Sequence, residues 1–383
     1  MGLLSEISVN WARSHAGKDC EMTISTSVQG AAWTGMPPRR RIYQIFPALM
    51  ESLQASDNWL LPGCQQVLVF LVDGLGKLQL DRYRAHARRL ASLEQIEGVQ
   101  TCVPSTTAAA ITSFATGLLP GQTRMVGYEV AGRNWRENLI TFANGTRAEK
   151  WQDQPTCFEV LAEREKRAAF VGKPKFDNSG LTRAALRGSQ FIGARSLSET
   201  AAEALKALED GFDFVYMYWS ELDHAGHSHG VGSEQWIGQL EEVDGAISQL
   251  RDGLPQGAAL VVTADHGMVN TDEEHVFEVG ADSLEGVYAV GGEPRALHLH
   301  CENAAEVARR WQRMVGERAL VTLAKDSPLG AVRDQAAGQV QVWMRGRWVC
   351  YVEGVHSAGA RSLVGVHGSL TEAEMSIPLL RTY

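Results

Sequence analysis

The chain predicts an α/β fold with a doubly wound, mostly parallel central sheet, and three observations lead there. Apolar runs of strand length recur at Val67–Val72 (VLVFLV), Phe212–Trp219 (FDFVYMYW) and Ala259–Thr263 (ALVVT). They are apolar at nearly every position rather than alternating, as strands covered on both faces are. Between the last two, Ser233 is placed to cap a helix whose Trp236, Ile237, Leu240, Val243, Ile247 and Leu250 form one apolar stripe. Thirdly, carboxylates and imidazoles stand just beyond the ends of these runs, where open α/β sheets gather their chemistry. Strand, helix and strand alternate from 67 to 267, so parallel pairing through crossover helices is the natural architecture.

Residues 1–41 are polar and weakly patterned, close on Pro37-Pro38, and read as an N-terminal extension. The core is expected over 42–270 and 361–383, with a small α+β insertion at 271–360 capping it. Ile42–Leu53 predicts a short helix entered around Pro47, and a second helix is expected from about Gly76 into the arginine-rich segment that follows. After Pro104, the hydroxyls of Ser105, Thr106 and Thr107 open an alanine-rich stretch that Gly117 ends. That is a helix with its own start and stop signals, and its hydroxyls lie at the positive end of the dipole. Ala168–Gly172 predicts a strand, and Glu199–Leu208 a helix. Within the insertion, Arg295–His300, Ala319–Leu323 and Gln339–Val352 have strand character and Ala304–Val315 is helical.

Composition narrows the function. A net charge of −9 argues against nucleic acid or an anionic membrane as a standing partner. It leaves room for a small phosphate substrate, because bound dications invert the local field. None of Cys20, Cys64, Cys102, Cys157, Cys301 and Cys350 shows C-x-x-C spacing, so a zinc ribbon or redox pair is not indicated. The N-terminus lacks the apolar stretch of a signal peptide, and no run approaches the ~20 residues of a membrane span, so a soluble protein of a reducing cytoplasm is expected. Asp73-Gly74-Leu75-Gly76 carries only G-x-G, and its leading acid would repel a pyrophosphate; a dinucleotide cofactor site does not follow.

The chemistry-bearing residues are Asp73, after the first run; Asp223 and His227, four apart in D-H-A-G-H; Asp265 and His266, after the third run; and His367 in G-V-H-G. Mixed carboxylate and imidazole donors suit Zn²⁺, and Mn²⁺ equally. Asp73-Gly74 alone is an ordinary strand-to-turn signal, and a lone His227 would be an ordinary loop histidine. Together, each beyond a buried strand, they predict a two-metal hydrolytic site. His224, His229, His275, His298 and His300 read as structural or exposed, with His356 the one nearest to facing the cleft.

The set Asp73-Gly74, Pro104-Ser105-Thr106-Thr107, Asp223-His224-Ala225-Gly226-His227, Ala264-Asp265-His266-Gly267-Met268 and Gly365-Val366-His367-Gly368 resembles the alkaline phosphatase superfamily. Within it, the likeness is to the type I phosphodiesterase/nucleotide pyrophosphatase group, and it covers roughly 60–270 and 361–380. The resemblance implies two zinc ions, one on Asp223, His227 and His367 and the other on Asp73, Asp265, His266 and the nucleophile. The family's position for that nucleophile falls on Thr107, with Thr106 as the neighbouring alternative. It further implies in-line attack on a phosphate ester, a nucleotide among the substrates, and a phospho-threonine intermediate released by water. A phosphomonoesterase, phosphonate hydrolase or phosphoryl mutase would keep the same site, and a non-catalytic phosphate-binding scaffold would keep the metals without the attack. One departure bears on substrate: where the pyrophosphatases carry an asparagine three residues after the nucleophile, this chain has Ala110. Lys173, Lys175, Asn178 and Ser179 are the candidate replacement donors, though ordinary surface lysines would look the same.

Overall fold

The computed structural model describes residues 40–383. The expected extension lies outside them except for Arg40 and Arg41, which pair in parallel with Val99 and Gln100. A seven-stranded sheet runs in the order Glu94–Gln95, Leu379–Thr382, Ala258–Thr263, Gln66–Val72, Phe214–Trp219, Ala168–Gly172, Gln190–Gly193. From Ala258–Thr263 to Gln190–Gly193 every neighbouring pair is parallel. The C-terminal Leu379–Thr382 enters antiparallel beside Ala258–Thr263.

The predicted runs form the buried strands, with Gln66–Val72, Phe214–Trp219 and Ala258–Thr263 inaccessible almost throughout. Aromatic packing fixes one face of the sheet. Phe46, from the helix Ile45–Ser52, stacks on Phe214 at 4.2 Å, and Phe114, from Thr107–Thr116, lies 5.6 Å from Tyr216. The helix that bears the threonines is thereby set against the strand leading to Asp223. Helix Leu197–Glu209 packs on the sheet and on Glu234–Gly253, whose start is capped by the Ser233 hydroxyl accepting from Trp236 N at 3.2 Å. The 42–53 segment opens as a 3₁₀ turn, Ile42–Gln44, before becoming α-helical, because Pro47 lacks an amide hydrogen to donate and is tolerated only in a first helical turn.

Within 271–360 a second, antiparallel sheet runs Val287–Glu293, Ala296–Cys301, Val340–Met344, Ala319–Leu323. It has its own apolar core, with Leu297, Leu299, Val342 and Trp311 fully buried. The expected strand Gln339–Val352 divides: Val340–Met344 joins this sheet, while Val349–Val352 pairs in parallel with Val276–Val279. Arg345-Gly346 makes the break, with Gly346 at φ +51°, a conformation that glycine adopts without strain. The segment is closed off by a short ladder, Val269-Asn270 against Gly365-Val366, which returns the chain beside the point it left.

A buried ion pair joins this segment to the C-terminal part of the core. Arg295 donates from Nε to Glu374 Oε1 at 2.7 Å and from Nη2 to Oε2 at 2.6 Å, both side chains being inaccessible. Glu374 also accepts from Ser369 N at 3.0 Å, so the pair reaches the loop that carries His367. Breaking a buried pair by removing one partner leaves an uncompensated charge, at a cost of about 3–5 kcal/mol. Arg295→Met is expected to lose stability by about that much in urea unfolding, a loss a surface salt bridge such as Arg133–Glu302 would not show.

Candidate metal centre

Each predicted ligand is placed by a strand end or by the closing ladder. Asp73 follows Gln66–Val72, and its backbone N–H is still bonded to Trp219 O at 2.9 Å, in register with the neighbouring strand. Asp265 and His266 follow Ala258–Thr263. Asp223 and His227 lie one turn apart on the helix Glu221–His229, which begins directly after Phe214–Trp219. His367 arrives through the Gly365-Val366 ladder.

Adjacent Asp265 and His266 face the same space because the chain turns immediately: Asp265 Oδ1 accepts from its neighbour's N–H at 2.9 Å and from Gly74 N at 3.1 Å. Glycine is required at the next position, since a Cβ on Gly267 would lie 2.0 Å from Ala373 O. Ligand atoms of Asp73, Asp265 and His266 lie within 4.8 Å of one another, and so do those of Asp223, His266 and His367. His266 thus belongs to both groups. His227 joins the second through Nε2, 3.2 Å from Asp223 Oδ2 and 3.3 Å from His367 Nε2.

Whether these residues fit dications can be tested on their unmet hydrogen bonds. Asp73 Oδ1, Asp223 Oδ1 and Asp265 Oδ2 are buried and find no hydrogen-bond partner among the described residues. Each histidine places Nδ1 against a backbone carbonyl: His227 on Gly365 O at 2.7 Å, His367 on Ser105 O at 2.9 Å, and His266 on Gly267 O at 3.0 Å. A carbonyl only accepts, so each Nδ1 carries a proton and it is Nε2 that each ring directs to the centre, as a lone pair wherever that nitrogen is unprotonated. Orphaned carboxylate oxygens and convergent Nε2 atoms are a ligand set for cations, and the carbonyls are the outer support such ligands need. The residues fit.

Ionisation follows from the same crowding. Burial, with Asp265 and Asp223 nearby, pushes the Asp73 carboxyl well up, though Tyr218 donates a hydrogen bond to Asp73 Oδ2. Burial disfavours charge on His227 and Asp223 as well, but their mutual attraction outweighs it, raising His227 to about 9 and lowering Asp223. His367 is pushed well down, by burial and then by His266.

Thr107 is the first residue of the helix Thr107–Thr116, and its Oγ1 lies 3.2 Å from His266 Nε2. Thr106 precedes the helix, with an extended backbone and a buried side chain. Ser105 fastens this turn to the His367 loop: its Oγ donates to Ser369 O at 2.7 Å and accepts from Gly368 N at 3.2 Å. Ala110 is fully buried, and its N–H is engaged by Thr106 O at 2.9 Å.

Among the other sequence candidates, Lys173 pairs with Glu221 at 2.6 Å and sits over the Trp219 ring, while Lys175 lies over Phe176. Ser179 caps the helix Gly180–Ala185. His356 is occupied by accepting from Val352 N at 2.9 Å, and His275 lies against Asp272. His298 is fully buried against Trp343, as a core residue. Two residues that sequence reasoning did not single out stand at the centre, Tyr218 and Glu293. Tyr218 had a signal in the alternation of its strand, which puts it on the face of Tyr216, next to Asp73 across the sheet. Glu293 had none, because it reaches the centre from the other sheet.

The fold and the donor set define an alkaline phosphatase-like α/β protein with a candidate metal centre. Residues 67–358 match the family described as type I phosphodiesterase / nucleotide pyrophosphatase, and the chain belongs to that family, within the alkaline phosphatase superfamily. It is 26% identical over 249 residues to the catalytic subunit of GPI ethanolamine phosphate transferase 3 of Mus musculus, a match covering 62% of this chain and 20% of that protein. It is 31% identical over 72 residues to ectonucleotide pyrophosphatase/phosphodiesterase family member 7 of Mus musculus, covering 18% of this chain and 16% of that one. The chain therefore matches only a fifth or less of these relatives' lengths. Murine ectonucleotide pyrophosphatase/phosphodiesterase 5 superposes with a TM-score of 0.67 at 17% identity, covering 83% of this chain and 88% of that one. The human protein gives 0.66 at 15% identity, over 83% and 87% of the chains.

In metal-free protein, Asp73 and His227 hold protons more tightly folded than unfolded. Their stabilising contribution is complete below the unfolded values and is lost as pH rises, for His227 between its usual 6.5 and about 9. A dication displaces those protons. The gain in melting temperature on adding Zn²⁺ to chelator-treated protein is therefore expected to increase from pH 6.5 to pH 9. Differential scanning fluorimetry checks this, and a gain that shrinks over that interval contradicts the ligand assignment.

Proposed function

We propose that this protein is a metal-dependent phosphodiesterase/nucleotide pyrophosphatase in which Thr107 is the nucleophile. The observation that carries the reading is Thr107 Oγ1 at 3.2 Å from Nε2 of His266, the imidazole common to both ligand groups. Asp223, His227 and His367 would hold one divalent ion, and Asp73, Asp265 and His266 the other. Zn²⁺ suits these donors, and Mn²⁺ does too. Bound there, the ions supply the positive charge that favours a threonine alkoxide and offsets the phosphoryl charge.

The chain's own residues do the rest. Thr107 Oγ1 forms a bond to phosphorus as the bond from phosphorus to the leaving oxygen breaks, giving a phospho-threonine. Water then attacks phosphorus from the vacated side, the Thr107–phosphorus bond breaks, and the hydroxyl is regenerated. Helix Thr107–Thr116 directs its first amides and the positive end of its dipole to this point, where phosphoryl oxygens gain most from them. The carbonyl contacts at Nδ1 hold each imidazole in one orientation throughout. An inactive form of the murine protein 5 has been solved in complex with AMP, which supports a nucleotide as substrate here.

Thr107→Ala is expected to reduce hydrolysis of bis(p-nitrophenyl) phosphate by about 10³-fold or more, while bound metal is retained. Thr107→Ser should keep a substantial fraction of the activity. A fully active Thr107→Ala would exclude the nucleophile, and a marked preference for p-nitrophenyl phosphate would move the assignment to a monoesterase.

A further inference from the structure

Glu293 ends the strand Val287–Glu293, yet its carboxyl lies at the metal centre rather than in its own sheet. It is 6% exposed, and its Oε1 has no hydrogen-bond partner. A Cβ on Gly368 would stand 2.7 Å from its Cδ, so the carboxyl rests on the backbone next to His367. On its other side the carboxyl faces the side chain of Thr106, the residue before Thr107, whose hydroxyl favours its charged form. Thr106 places no side-chain bond on its own helix, which leaves its hydroxyl able to face this carboxyl. Burial raises the Glu293 carboxyl to about 8, the Thr106 hydroxyl opposes this, and Glu374 adds to it. A buried carboxyl with one oxygen unpaired is unfavourable in a purely structural position, where an apolar side chain would serve better. The turn that presents it is fixed, because Arg295, two residues on, is locked to Glu374.

We propose that Glu293 is a positioning residue for the nucleophile: bearing on Gly368, whose N–H is bonded to Ser105, and facing Thr106, it sets where the Thr107 helix begins relative to His367. This rests on the reading of Thr107 as nucleophile. The segment at 271–360 then does more than border the cleft, since its side chain aligns the reacting hydroxyl. The effect belongs to the chemical step, because a misplaced hydroxyl lowers turnover while leaving substrate affinity nearly intact.

The test uses the zinc-loaded full chain, with kcat and KM on bis(p-nitrophenyl) phosphate, zinc content and melting temperature for each variant. Glu293→Ala and Thr106→Val are each expected to lower kcat about tenfold with KM nearly unchanged, the size of a modest misalignment of the reacting hydroxyl. The double variant should lose no more than either single one, since both remove the same contact. Glu293→Gln, which preserves shape and hydrogen bonding, should restore most of kcat. Independent losses that multiply, a Gln variant as impaired as Ala, or a kcat loss that tracks lost zinc or a lowered melting temperature would each overturn the proposal. Thr107→Ala separates the two readings. If it is inactive while Glu293→Ala is fully active, only the positioning role falls; if it is active, the nucleophile and this role fall together.

Discussion

The centre depends on one electrostatic constraint: buried hydrogen-bond acceptors are crowded together with too few donors among them. Asp73, Asp223 and Asp265 each direct an unpaired oxygen inward, and His227 and His367 bring their Nε2 atoms to 3.3 Å. Two lone pairs do not approach so closely without positive charge between them. A single proton relieves one contact, which is what the raised His227 amounts to. Protons on Asp73 and His227 still leave the Asp223 and Asp265 oxygens without a partner, whereas a dication satisfies several acceptors at once. The architecture follows from this need. Strand ends deliver carboxylates that stay apart in the unfolded chain, and backbone carbonyls turn the rings so that no imidazole can escape by rotating.

The 271–360 segment supports the arrangement through contacts distant in sequence. The Val269-Asn270 ladder with Gly365-Val366 makes the departure and return points neighbours, which is how His367 stacks on His266 at 3.7 Å although about a hundred residues separate them. Arg295 then ties the segment to Glu374, and Glu374 to Ser369. Ser105 completes the circuit by joining Ser369 and Gly368 to the turn before the helix Thr107–Thr116. Both loops that meet the Thr107 hydroxyl are therefore held by buried polar groups, whose partners define a unique geometry in a way that apolar packing does not.

Much of this was legible in the sequence, for a specific reason. Strands buried on both faces are continuous apolar runs, so Gln66–Val72 and Ala258–Thr263 and the acids beyond them declare themselves. The helix Thr107–Thr116 carries both of its boundary signals, the hydroxyls before and Gly117 after, and its limits follow. The two strands on one side of the sheet were hidden because they are short: Glu94–Gln95 at the edge and Leu379–Thr382 next to it have too few residues to set a period and are recruited by pairing. The division of Gln339–Val352 is tertiary in the same sense, since two strands in different sheets share one β-rich stretch. Glu293 and the Arg295–Glu374 pair depend on contacts between sheets, and no local pattern reports those.

Ala110 has a consequence that the geometry sharpens. Its N–H is bonded within the helix and its methyl is fully buried, so neither can donate to a phosphoryl oxygen. Lys173 cannot replace the missing amide without leaving Glu221 and Trp219, and Ser179 is engaged at its own helix start. In the proposed mechanism, the charge of bound cations, the helix dipole and the first amides of Thr107–Thr116 would meet the non-bridging oxygens. Neutral amide donors discriminate by geometry, because each must meet a particular oxygen, whereas charge responds mainly to how much negative charge the group carries. A diester and a monoester differ in that respect, so replacing a directed donor by field narrows the preference for diesters that a side-chain amide would enforce. Under that reading, selection among substrates would fall to contacts with the leaving group at the walls of the cleft rather than with the phosphoryl group itself.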